Sequence, residues 1–213
     1  MGLLKKHIEK RQNKINLKNR ERLTNNEPVL ICSNCLGGYI YHWLGLKFHS
    51  PFINLWMTNE DFIAMLEMGL EKFLYLPIKE VKDSKEKYPV GEIDGIKIYF
   101  MHYKNFDEAV EAWNRRKERV DLDNVGILFS SFKGDEDIIR RFDKLPYKNK
   151  VIFVEEPSEY KSAYYIKGYK LYKKIMKKLK PKMVPNLFKN QNCLTGKRFI
   201  DQFDYVSFIN SLK

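Results

Sequence analysis

The residues with chemistry to offer follow short apolar runs. Pro28 to His49 reads PVLICSNCLGGYIYHWLGLKFH, in which Ser33-Asn34-Cys35-Leu36-Gly37-Gly38 forms a small polar loop between an apolar run and an aromatic segment. Glycines there let backbone N–H groups approach an anion, and the helix that follows adds its positive N-terminal end. Ser33, Asn34, Gly37 and Gly38 are therefore candidate binders of a phosphate. A tight structural turn is the competing reading, because neither GxGxxG nor a P-loop is present. Cys35, at the helix start, is a candidate nucleophile, since that position can lower a thiol pKa, provided His49 or His102 stands near as a base. The plainer reading is a small residue that fits the loop. Cys32 should point into the core. Cys32-x-x-Cys35 has no second pair and only Cys193 besides, which supports neither zinc nor a redox couple.

Two further polar pairs follow apolar runs: His102-Tyr103 after Ile96 to Met101, and Ser130-Ser131 after Val125 to Phe129. If both strands run parallel to Val29 to Cys32, the three ends meet at one sheet edge, where this fold class builds its sites. His102 is then the best general base, with Tyr103, Ser131 and Arg116 against the substrate. The bland alternatives are a structural hydrogen bond for His102 and a solvated helical face for Arg115-Arg116-Lys117. His49, in His49-Ser50-Pro51, is a further candidate binder. Asp121-x-Asp123 lies between a helix and the next strand, the wrong place for a working metal pair. The acids of Gly134-Asp135-Glu136-Asp137 suit a first helical turn on dipole grounds alone. No metal and no cofactor are expected.

The elements that must hold these residues alternate. Residues 3 to 23 have the spacing of a helix with a thin apolar stripe, and Thr24 to Pro28 closes it. Val29 to Cys32 suits a buried strand, and helical spacing resumes at Gly37. Phe52 to Met57 is a second candidate strand. Thr58-Asn59-Glu60-Asp61 opens a helix that buries Phe62, Leu66, Leu70 and Phe73 and stops before Pro77. Asp94-Gly95 between apolar runs marks a hairpin, with Ile96 to Met101 as its second strand. A helix over Asn105 to Val120, a strand over Val125 to Phe129, a helix over Gly134 to Leu145 and a strand over Lys150 to Val154 follow. This alternation predicts an α/β three-layer domain with a mixed, mostly parallel sheet and a helical C-terminal extension that packs on the core. The organisation expected is a basic N-terminal helix (1–27), an α/β core (28–157) and a basic helical extension (158–213).

The 213 residues carry a net charge of +12. Residues 1–27 contribute +5, 28–160 contribute −4 and 161–213 contribute +11, so the basicity belongs to the ends and not to the candidate site. Gly168 to Lys180 sets Leu171, Tyr172, Ile175, Met176 and Leu179 on one helical face and six lysines on the other. Such a helix can lie on an anionic membrane, bind nucleic acid or pack on the domain. An acidic core without nucleic-acid motifs disfavours the second. Beyond Pro181 and Pro185, Phe199 to Ile209 suggests a terminal helix that docks back. No apolar run spans a bilayer, no secretory signal stands at the start, and three cysteines fit a reducing compartment. The expected location is cytoplasmic, with peripheral contact at the inner membrane face.

Four blocks, SNCLGGYIYHWLGLKFHSPFINLW, KYPVGEIDGIKIYFMHY, AWNRRKERVDLDN and RFDKLPYKNKVIF, occur in this order over roughly residues 29–154. By them the chain resembles the bacterial domain-of-unknown-function family number nineteen-nineteen, whose members are often described as exopolysaccharide or capsule biosynthesis proteins. Where that family's first block often has Asn-Asn-Cys followed by Trp, this chain has Ser33 and Leu36. The resemblance implies an α/β fold and a surface-polysaccharide setting. The function expected is a transferase acting on a sugar or sugar phosphate, with a sugar nucleotide or phosphorylated glycan carrier as partner. The alternative is a non-catalytic glycan-pathway binding module using the same cleft.

Overall fold

Strand β1 (Val29–Cys32) is buried at every position, as an unbroken apolar run predicts, and lies at one edge of a four-stranded sheet. The computed structural model describes residues 2–131, 135–180, 186–188, 192 and 194–213. The sheet runs from β1 through Val125–Ser130 and Lys150–Val154 to Ala163–Tyr165, all parallel. With the intervening short strands Lys79–Glu80, Val90–Ile93 and Ile96–Tyr99 numbered β2 to β4, these three are β5, β6 and β7. The strand Ala163–Tyr165 was not foreseen; three partly exposed residues carry too little apolar pattern to announce it.

Helices cover both faces. Helices α1 to α8 span Leu3–Arg22, Leu36–Leu44, Asn59–Met68, Leu70–Tyr75, Phe106–Lys117, Glu136–Lys144, Tyr169–Leu179 and Tyr205–Asn210. One core packs α3, α4, α5, α6 and the β3–β4 hairpin against Val29, Ile31, Ile127, Phe129 and Ile152. The other packs α2, Tyr169 and the C-terminal segment against Leu30, Cys32, Leu128, Val151 and Phe153. This is the α/β three-layer arrangement, with the period-2 alternation of the strands sending neighbouring side chains to opposite layers. Gly126 allows α8 to dock, because a Cβ there would meet Phe208 at 2.7 Å and Leu212 at 3.2 Å. Among the described residues no helix is long and apolar enough to cross a membrane.

Several local expectations change. The Asp94-Gly95 turn makes its hairpin with both residues at positive φ, but β2, β3 and β4 form a separate antiparallel sheet and leave the main sheet wholly parallel. Phe52 to Met57 is not a strand; Pro51 and a positive φ at Asn54 break the extended path, leaving one bridge from Trp56 to Tyr99. The helix opened by Thr58 breaks at Gly69, whose φ of 97° no helix accepts, into α3 and α4. The Tyr147 hydroxyl spans that break, donating to the Leu66 carbonyl and accepting from the Leu70 N–H. The terminal helix is divided into a 3-10 turn (Phe199–Gln202) and α8. Gly134, Pro181, Pro185 and Cys193 lie outside the described residues.

Candidate functional site

At the carboxyl end of β1 the chain turns through Ser33 and Asn34 and enters α2 with Cys35 as its N-cap. The helix starts at Leu36, earlier than its sequence spacing indicates, so Gly37 and Gly38 belong to its first turn. Gly37 is required by a close approach: a Cβ there would sit 2.9 Å from Cys32 Sγ. The first-turn donors are partly committed. The Leu36 N–H goes to Asn34 Oδ1 at 3.0 Å, and the Gly37 backbone bonds to the Cys32 thiol. Asn34 is thus occupied in shaping the turn, and Ser33, buried, gives its carbonyl to the Met57 N–H. With two donors used internally, the loop is a weak phosphate cradle.

The turn does bring Cys35 to His102. Cys35 Sγ lies 3.5 Å from His102 Nε2 and 3.9 Å from Met101 Sδ, within hydrogen-bond reach for sulfur. The route differs from the parallel convergence expected. β4 is antiparallel in the second sheet, and the Trp56–Tyr99 bridge together with the Met57 to Ser33 bond carries its end to the β1 edge. Trp56 stacks on Tyr99 with centroids 4.1 Å apart, and its Nε1 donates to the Tyr88 hydroxyl at 3.1 Å. Cys35 is half-buried and His102 exposed, so the pair opens to solvent.

Burial pushes the Cys35 thiol pKa up, the reverse of the helix-dipole expectation. At rest Cys35 is therefore a neutral thiol, and its attack on an electrophile needs a base to take the proton. Cys32, wholly buried, is pushed up to about 12 by the same cause and is inert.

The remaining candidates divide between this edge and other places. Ser131, at the end of β5, is buried and accepts from Asn59 Nδ2 at 3.1 Å. Asn59 was missed; it sits beside the Thr58 cap at the same carboxyl edge. The Ser130 Oγ is buried and has no partner among the described residues. Tyr103 and Arg116 pair with each other at 2.6 Å, and both reach the Ile53 carbonyl at 3.4 Å. Arg116 is 9% exposed and rests over Phe48, 5.4 Å from its centroid, so it is a buried brace and not the solvated cation its charged run suggests. His49 is absent from the group. It lies at the amino edge beside Glu27 and Arg119, where burial first, against the raising effect of Glu27, lowers its pKa. The cause is geometric, since α2 carries the chain about 14 Å back across the sheet before His49 is reached.

Among the described residues no three His, Cys, Asp or Glu side chains come together as a metal site. Asp121 caps the turn Leu122–Asn124 and pairs with Lys213. Asp135 caps α6, and Asp137 pairs with Arg140.

Comparison with known proteins places this chain in a family. The model of a domain of unknown function, DUF1919, matches residues 6–210. An uncharacterized protein of Haemophilus influenzae is 39% identical over 210 residues, covering 97% of this chain and 96% of that protein.

Proposed function

The chain belongs to the DUF1919 family, and from its site we propose that it is a group transferase of surface-polysaccharide assembly, acting on a sugar or sugar-phosphate substrate. One observation carries the catalytic part: a half-buried thiol at a helix N-cap with an imidazole nitrogen 3.5 Å away, at the open carboxyl edge of a parallel sheet. The glycan part rests on the resemblance to exopolysaccharide and capsule proteins drawn from the sequence blocks.

In this reading His102 Nε2 takes the Cys35 proton as the sulfur bonds to the activated group of a donor, and the departing group carries that proton away. A sugar hydroxyl then gives its proton to His102 and bonds to the transferred group. The bond to sulfur breaks, and Cys35 recovers the proton. A thiol nucleophile suits an acyl group best. The sugar arrives as a sugar nucleotide or on a phosphorylated glycan carrier, in the cytoplasm and at the inner membrane face.

The test is replacement of the chromosomal gene by Cys35→Ala and His102→Ala variants, with surface polysaccharide quantified at matched protein levels. Loss of output on the order of a hundredfold or more is expected from either. Unchanged output from both removes the proposal. The raised Cys35 pKa favours a second reading, a non-catalytic module that holds a glycan-pathway ligand at the same cleft. Equilibrium binding of a sugar nucleotide, retained by both variants and without turnover, would support it.

A further inference from the structure

Helix α7 (Tyr169–Leu179) divides its apolar residues between two faces. Tyr169 is buried and Tyr172 and Met176 partly so, and the two tyrosines pack on Phe199 at 5.1 and 4.9 Å. On the same side Lys173 pairs with Glu155 at 2.6 Å, while Lys170 pairs with Glu156. These contacts fix the helix on the domain. The sequence pattern had placed five apolar residues on one face, but packing against Phe199 rotates only part of that set inward.

The rest faces water. Leu171, Ile175 and Leu179 are 62%, 45% and 71% exposed and, four residues apart, form one continuous ridge. Lys174 and Lys178 run beside the ridge, with Lys177 one step further round, and none of the three pairs with an acid among the described residues. The helix contains no Asp or Glu at all. Three large aliphatic side chains held outward in this way lose favourable burial unless something apolar covers them.

We infer that the Leu171–Ile175–Leu179 ridge and its lysines dock the protein on an anionic lipid bilayer. This rests on the reading that the protein works at the inner membrane face, and is independent of the chemistry proposed at Cys35. Charge decides the occupant. A second copy of α7 would bring lysines against lysines, and nucleic acid would set phosphates against the aliphatic ridge. An anionic bilayer offers acyl chains to the ridge and headgroup charge to the lysines together. No described helix can span a membrane, so the contact is peripheral, with α7 lying along the surface.

The experiment is co-sedimentation of the full chain with phosphatidylcholine vesicles, with and without phosphatidylglycerol, over a series of salt concentrations. Binding is expected only with phosphatidylglycerol and should weaken as salt rises. The triple change Lys174→Gln, Lys177→Gln, Lys178→Gln should weaken it by about tenfold or more and flatten the salt dependence. Leu171→Gln with Ile175→Gln should weaken it about as much without altering thermal unfolding, because both sites are exposed. Equal binding to neutral vesicles, no binding, or indifference to both sets of changes would overturn the inference. So would self-association in sedimentation velocity that the ridge changes abolish. Cys35→Ala should bind vesicles as the parent does, which separates this result from the fate of the transferase reading.

Discussion

The two ends of the parallel sheet treat polar groups in opposite ways. At the amino edge Asn25 and Asn124, both buried, bond to each other through both amides, at 2.6 and 3.2 Å. Asn124 also donates to the Glu27 carbonyl and Asn25 to that of Ile209. The Tyr41 hydroxyl closes the free side of β1, accepting from the Leu30 N–H at 3.1 Å and donating to the Pro28 carbonyl. At the carboxyl edge the contact between half-buried Cys35 and exposed His102 is long, at 3.5 Å, and the buried Ser130 Oγ has no partner among the described residues. One end spends its polar side chains on holding the chain together. The other leaves a thiol and an imidazole free to meet something from outside.

The largest effect that could break this contrast is on stability. Asn124→Ala should cost about 3 kcal/mol, since it strands the buried Asn25 amide and opens a hole, while Cys35→Ala and His102→Ala should each stay within about 0.5 kcal/mol in urea unfolding. If the carboxyl-edge changes cost as much as the amino-edge one, the pair is structural.

The two cysteines sharpen the contrast through pH. Cys32 keeps its proton in the fold up to about 12, whereas unfolded it releases it near the ordinary thiol value of about 8.5. Above that value the unfolded chain binds fewer protons than the native one, so stability is present in full below it and falls as pH rises towards 12. Near pH 10 the loss from this group should be about 2 kcal/mol. Cys32→Ala should flatten the alkaline slope measured by urea titration, whatever it does to stability at neutral pH.

A smaller effect divides the two glycines of the α2 first turn. Gly37→Ala forces a Cβ to 2.9 Å from Cys32 Sγ and should cost about 1–2 kcal/mol, with Cys32→Ala restoring part of it. Gly38→Ala finds its nearest neighbour, Ile53, at 3.6 Å and should be neutral or stabilising by up to about 1 kcal/mol through helix propensity. Thermal unfolding of the three proteins checks both.

What could be read from the sequence follows the range of the forces involved. The cap at Thr58, the Asp94-Gly95 hairpin and the buried β1 run are decided within a few residues, and all appear where the residues put them. The pairing of Cys35 with His102 could be proposed because each follows an apolar run. The way it is achieved could not be read, because it depends on a separate sheet and a bridge between Trp56 and Tyr99. His49 and Arg116 were misplaced for a related reason. The length of α2 carries the first to the wrong edge, and the packing of α5 over Phe48 and Ile53 buries the second.

The central claim is that Cys35 and His102 work as a pair, and alkylation rates test it most directly. Iodoacetamide modification at neutral pH, followed by peptide mass spectrometry in a Cys193→Ser background, reports each remaining thiol separately. Cys35 should react and buried Cys32 should not, and His102→Ala should slow Cys35 by about tenfold by removing the base that draws off its proton. An unchanged Cys35 rate in His102→Ala would contradict the account.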